Sequence, residues 1–187
     1  MKICIGIPCN RQFKAKTVLS LMEMVSTKMD YHFAIATEGY TVAENRNWIV
    51  AQAIKNDCTH LLLTDDDMIY GKDTLKRLLA REKDIIGVNY SVRRIVDKDT
   101  NHLVIEYLDE KSDTELFKCK AIGGGMLLIN MKVFEKIEQK WFWYDVHPNG
   151  MILMSNDWWF CRQARRAGYD IWCDSTIKVG HIGNYEY

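Results

Sequence analysis

Four short apolar runs, ICIGIP (3–8), YHFAIAT (31–37), THLLLT (59–64) and DIIGVNY (84–90), alternate with segments whose apolar residues recur at helical spacing. Ala15, Val18, Leu19, Met22 and Val25 mark the first helix, residues 43–55 the second, and Leu75, Leu78 and Leu79 a third that starts with Asp73 as N-cap. THLLLT is apolar enough to be buried on both faces, as strands of parallel sheets are. Strand and helix in alternation predict an α/β fold, a mostly parallel sheet with right-handed crossovers covered by helices. Ligands of such sheets bind beyond the carboxyl ends of the strands.

The second half reads as a mixed extension of that sheet. HLVIEYL (102–108) and LFKCKAI (116–122) alternate like strands, GGGMLLIN leads into a short helix around Val133, Phe134 and Ile137, and a last helix over 157–167 stops at Gly168. With two prolines and no linker-like stretch, the 187 residues are expected to form one domain, 1–95 contributing one half of a site and 96–187 the other.

The 25 basic and 25 acidic residues cancel, so the chain carries no general footprint for nucleic acid or anionic membrane. No stretch approaches the roughly 20 apolar residues of a membrane span, and the start MKICIGIPCN is too quickly polar for a signal peptide, which predicts a cytoplasmic protein. The six cysteines are scattered without a C-x-x-C pair and are expected to be reduced core thiols.

Directly behind the third apolar run stand Asp65, Asp66 and Asp67. Adjacent like charges repel, and a divalent cation with its phosphates offsets that repulsion. Mg²⁺ and Mn²⁺ take oxygen ligands and keep positions for water and substrate phosphate, so the pair Asp65 and Asp67 suits a metal-bridged nucleoside diphosphate. Read alone, the three carboxylates equally describe a solvated acidic turn ahead of a helix.

Other residues fall at the same sheet edge: Pro8, Asn10 and Arg11 after the first strand, Glu38 after the second, Arg46 and Asn47 at the start of the second helix. Arg46 and Asn47 can reach a phosphate or a nucleoside there, or simply lie on a solvated helix face. Gly124 and Gly125, within three consecutive glycines, let backbone approach a ligand closely, though neither a P-loop lysine nor Rossmann spacing is present. Asp157 at a helix start is a candidate acceptor of a proton from an incoming hydroxyl, or a plain helix cap. His181, between two glycines, is a structural histidine or a ligand completing an aspartate-bound Mn²⁺ site. Trp141, Trp143, Trp158 and Trp159 offer flat apolar faces for a ligand or fill the core.

In order along the chain, IGIPCNR, AENRNWIVAQAIKNDCTHLLLTDDDMI, AIGGGMLLINMKVFEKI and NDWWFCRQARRAGYDIWCDSTIKVGHIG resemble the GT-A nucleotide-sugar glycosyltransferases, in particular their small family-2-like members. The resemblance covers nearly the whole chain. It implies a single GT-A domain in which the D-x-D motif holds Mn²⁺ or Mg²⁺ and the sugar nucleotide: Asp67 as principal metal ligand, Asp65 as metal or ribose contact, Asp66 beside them, His181 as the late metal-binding histidine. It implies a nucleotide-sugar donor, most often UDP-linked, bound by residues 1–95, and a glycan or other hydroxyl acceptor met by residues 96–187. SND matches the family's x-E-D, with Asp157 as the base and Asn156 where glutamate is frequent; that base position implies inversion.

Two other readings use the same residues. Metal-dependent phosphoryl or nucleotidyl transfer also organises a cation with paired aspartates, but a D-x-D phosphatase carries its motif after the first strand rather than the third. A binding module for sugar nucleotides or glycans would keep the fold without turnover.

Overall fold

Along His60–Thr64 successive side chains point to opposite faces of a strand, and this one is buried on both. Leu61 and Leu63 join one apolar cluster and Leu62 the other, so the segment needs cover on two sides. A computed structural model describes residues 1–9, 12–25, 28–39, 41–91, 104–108 and 114–182. In chain order the elements are β1 Lys2–Pro8, α1 Ala15–Met24, β2 Asp30–Ala36, α2 Val42–Lys55, β3 His60–Thr64, β4 Met68–Ile69, α3 Thr74–Ala80 and β5 Ile85–Gly87. They continue with β6 Ile105–Tyr107, β7 Leu116–Ile122, β8 Met126–Asn130, α4 Val133–Lys136, β9 Asp145–Val146, β10 Ile152–Met154, α5 Asn156–Arg166, β11 Ile171–Asp174 and β12 Gly180–His181.

Eight strands form one sheet in the order β2-β1-β3-β8-β5-β11-β7-β6. β1 is parallel to β2 and β3, β8 antiparallel to both β3 and β5, β11 parallel to β5 and antiparallel to β7, and β7 antiparallel to β6. Only β7 and β8 therefore run against the rest, and the sheet is mostly parallel in strand direction, as expected. The fourth apolar run, however, is not the neighbour of the third. β8 lies between them because Leu127 and Ile129 complete the buried layer on one face and Met126 and Leu128 that on the other.

Helices α2 and α5 cover one face through Ala43, Ile49, Val50 and Ala53 and through Phe160, Cys161 and Ala164. Phe160 stacks on Phe142 at 4.8 Å between ring centroids. Helices α1 and α3 cover the other face with Leu21, Met24, Leu75 and Leu78. A capping box starts α2: the Thr41 hydroxyl accepts the Glu44 amide while the Glu44 carboxylate accepts the Thr41 amide. Asp73 does precede α3, but its backbone is already helical and its side chain makes no cap hydrogen bond, contrary to the expectation for that residue. Gly168 ends α5 at φ +88° as predicted.

All six cysteines are buried free thiols, and burial pushes those of Cys161 and Cys173 up to about 12, which makes them inert packing groups. No helix among the described residues is long and apolar enough to cross a membrane.

The end of β11 carries a buried carboxylate, Asp174. Its Oδ1 accepts the Thr176 amide at 2.9 Å and hydroxyl at 2.5 Å, and its Oδ2 accepts Arg81 Nε at 2.7 Å. Burial alone would raise the carboxyl's pKa, but the hydrogen bonds from Thr176 and Arg81 outweigh it and hold the group below its ordinary value. A folded value below the unfolded one means that this stability is present above the unfolded pKa of about 3.9 and lost as pH falls through the folded value. Thermal unfolding between pH 7 and pH 3 should therefore show Asp174→Asn destabilised by about 2 kcal/mol at neutral pH, the gap to wild type closing in acid.

Candidate functional site

The carboxyl ends of β1 and β3 and the first turns of α2 and α5 enclose a cleft of about 650 Å³. Pro8, Arg46, Asp65, Asp66, Asp67 and Asp157, all expected at the site, line it. Lys14, Gln12 and Ser155 line it as well, and none of these was singled out in the sequence. Lys14 adds an ammonium to a wall that carries four aspartates and the Arg46 guanidinium. Its backbone amide donates to the Asp66 carbonyl at 3.2 Å, joining the segment after β1 to the aspartate turn.

The three aspartates fan out rather than converge. Asp65 turns toward α2, where its Oδ1 accepts Arg46 Nη2 at 3.2 Å. Asp66 stays half-buried in the cleft wall. Asp67, 2% exposed, turns toward the C-terminal segment. Asp65 and Asp67 thus meet different neighbours, Arg46 and His181, on leaving the β3–β4 turn.

Pairing of β4 with β12 sets His181 opposite Met68, and the Ile182 amide donates to the Asp67 carbonyl at 2.8 Å. His181 Nε2 consequently lies 3.4 Å from Asp67 Oδ1, while its Nδ1 is 3.0 Å from the Ser91 carbonyl oxygen. A carbonyl only accepts, so Nδ1 carries the proton, and in the neutral ring Nε2 offers its lone pair on the Asp67 side. Imidazoles that bind metals are commonly oriented through such a second-nitrogen contact. Among the described residues no third histidine, cysteine, aspartate or glutamate joins the two in a metal-sized group. An ion held by Asp67 and His181 would take its remaining ligands from water and substrate phosphate, a donor set that suits Mn²⁺ or Mg²⁺.

Across the cleft, Ser155 is the N-cap residue of α5 and Asp157 lies in its first turn, where the helix terminus favours negative charge. Asp157 Oδ1 accepts the Ser155 hydroxyl and the Trp158 amide, and its Oδ2 accepts the Gly124 amide at 3.1 Å. The carboxylate is held from both sides while its side chain remains 19% exposed.

Arg46 is buried at the centre. Its Nη1 donates to Asn156 Oδ1 at 2.6 Å and lies 3.8 Å from Asp157 Oδ2. Burial alone would lower the guanidinium's pKa; Asp65 first and then Asp157 outweigh that and keep it cationic. Gly124 and Gly125 pack closely against this interior. A Cβ at Gly124 would meet the Arg46 guanidinium at 2.5 Å, and one at Gly125 the Tyr90 hydroxyl at 2.4 Å. The Tyr90 hydroxyl accepts the Gly125 amide at 2.8 Å, and its ring meets His181 edge-on at 5.5 Å. Burial, Asp65 and Asp157 all raise the Tyr90 pKa, so the phenol stays neutral. Its position at the carboxyl end of the fourth apolar run was the signal that could have found it.

Two expected contacts lie elsewhere. Asn47 ties α2 to the backbone of Phe142, donating to the carbonyl at 2.8 Å and accepting the amide at 3.0 Å. Glu38 lines a separate cleft of about 540 Å³ with Trp48 at the end of β2. Asn10 and Arg11 lie outside the described residues. Of the four tryptophans singled out in the sequence, Trp141 is core, edge-on to Phe134, and Trp159 is covered by the Arg162 guanidinium at 4.6 Å; Trp143, 42% exposed, keeps the most open face of the four.

No protein-family model matches the chain, and no curated protein matches it in sequence. Solved structures do. A197 from STIV superposes with a TM-score of 0.69 at 16% identity, over 97% of this chain and 86% of that one. GalNAc-T7, solved with UDP, GalNAc and Mn²⁺, superposes at 0.61 with 14% identity, covering 100% of this chain and 44% of its own. The fold is GT-A-like. A third structure, S. aureus TarS 1–349, agrees at 0.53 with 11% identity over 94% of this chain and 61% of that one. This chain therefore spans less than two thirds of both glycosyltransferases, and at these identities the likeness is one of fold. Within a GT-A-like fold, the cleft lies at the carboxyl edge of the parallel strands, where α/β sheets bind ligands.

Proposed function

We propose that the protein is a metal-dependent glycosyltransferase that moves a sugar from a nucleoside-diphosphate sugar, UDP-linked by preference, to an acceptor hydroxyl on a glycan. The observation that carries this reading is that one cleft of a GT-A-like fold is lined both by Asp67, which His181 Nε2 approaches to 3.4 Å, and by the oriented carboxylate of Asp157.

In this reading Asp67 and His181 hold Mn²⁺ or Mg²⁺, which when bound neutralises the charge of the departing diphosphate. Lys14, on the same cleft, supplies a further positive charge to the phosphates. Asp157 accepts the proton of the acceptor hydroxyl as that oxygen attacks the anomeric carbon and the bond to the diphosphate breaks; attack from the far side inverts the configuration. Gly124 and Ser155 keep the carboxylate aimed while this happens. Donor binding falls to residues 1–95 and acceptor binding to residues 96–187.

A panel of nucleotide sugars, each assayed with Mn²⁺ for hydrolysis and for thermal stabilisation of the protein, tests the proposal. We expect one donor to raise Tm only when metal is present and to be turned over. A panel that neither stabilises nor reacts counts against it, and stabilisation without turnover favours a binding module.

A further inference from the structure

We propose that Arg46 is a positioning residue that aims Asp157 for the transfer reaction, an inference that rests on the function proposed above. The sequence suggested a phosphate or nucleoside contact for this side chain. Its geometry points inward instead: the guanidinium is buried where three segments meet, the end of β3 at Asp65, the start of α5 at Asn156 and Asp157, and the glycine segment ahead of β8. The Phe142 ring lies 5.8 Å beneath it.

Each terminal nitrogen has its own task. Nη2 binds Asp65 on the strand, and Nη1 binds Asn156 and faces Asp157 on the helix. Asp157 Oδ2 is thereby placed between a fixed cation at 3.8 Å and the Gly124 amide at 3.1 Å. A lysine ammonium is a single point charge and cannot span both partners, whereas the planar fork does. The arrangement is not an optimised ion pair: Arg46 Nε is buried with no hydrogen-bond partner among the described residues. Such an unsatisfied buried donor calls for an explanation beyond stability, and holding two separated carboxylates with one guanidinium supplies it.

The same geometry accounts for Asn156. Its amide oxygen accepts Arg46, and its amide nitrogen donates to the Tyr144 hydroxyl at 3.3 Å. A neutral side chain here leaves the single positive charge to Asp65 and Asp157. A carboxylate at this position would compete with both for the guanidinium and would have no proton to give Tyr144.

The test has one arm that needs no turnover. The Gly124 amide proton, hydrogen-bonded to Asp157, reports the carboxylate's position in a ¹⁵N–¹H spectrum of the full chain. In Arg46→Lys and Arg46→Gln this resonance should move toward its place in Asp157→Asn. A Gly124 resonance unmoved in a folded Arg46 variant overturns the proposal even if the wild type transfers no sugar, an outcome that would separately sink the proposed function. With an active donor in hand, Arg46→Lys should lower kcat about a hundredfold, the effect of a misplacement of about 1 Å, with the donor KM changed less than about threefold. Gly124→Ala displaces the guanidinium without removing its charge and should lower kcat similarly; wild-type turnover in that variant also overturns the inference.

Discussion

Asp157→Asn should lower transfer about a thousandfold, within the range that a positioned general base contributes, while donor binding is kept. The amide retains the side chain's shape and its carbonyl can still accept the Gly124 amide or the Trp158 amide, so α5 and the cleft should persist. What it loses is the ability to take a proton. The diagnostic comparison is kcat against donor KM: a group acting only in the transition state lowers kcat and kcat/KM together. A variant that turns over at the wild-type rate would remove Asp157 from the chemistry, and one that loses donor binding with folding intact would make it a donor contact instead.

Asp67→Asn should abolish the metal-dependent part of donor binding. If Asp67 and His181 hold the cation, donor and metal at a hundred times their dissociation constant stabilise the wild type by about 2.7 kcal/mol. The substitution should erase that increment, read as a Tm that no longer responds to Mn²⁺. His181→Ala should erase it too, although the two residues come from segments more than a hundred positions apart and meet only through the β4–β12 pair. Mn²⁺-dependent stabilisation that survives in both variants would show that the cation binds elsewhere. Asp65→Asn separates the two aspartates: because Asp65 is bound to Arg46, its loss should disturb turnover more than metal affinity.

The sequence read best wherever a feature depends on near neighbours. The double-sided burial of β3 follows from five consecutive side chains, the helix stop at Gly168 from one residue's conformational freedom, and the gathering of Pro8, Arg46, Asp65 and Asp157 from the rule that parallel strands offer their carboxyl ends to ligands. It was silent on partners far away in sequence where a side chain had two chemically sensible ones. Asn47 could face a ligand or the Phe142 backbone, and Asp65 a cation or Arg46; local pattern does not rank such choices, because the deciding partner lies 95 and 19 residues away in sequence. The placement of β8 has the same origin, since strand adjacency depends on which apolar run best completes two cores at once.

That placement also bears on how the protein is made. β3 and β5 emerge early, yet the strand that joins them is residues 126–130, so both hold unpaired edges while more than thirty further residues are synthesised. Such non-local pairing slows folding and leaves exposed strand edges open to association. Residues 1–95 are therefore not a separable folding unit: their central seam closes only with a strand from residues 96–187, and a fragment ending near residue 95 would carry that seam open.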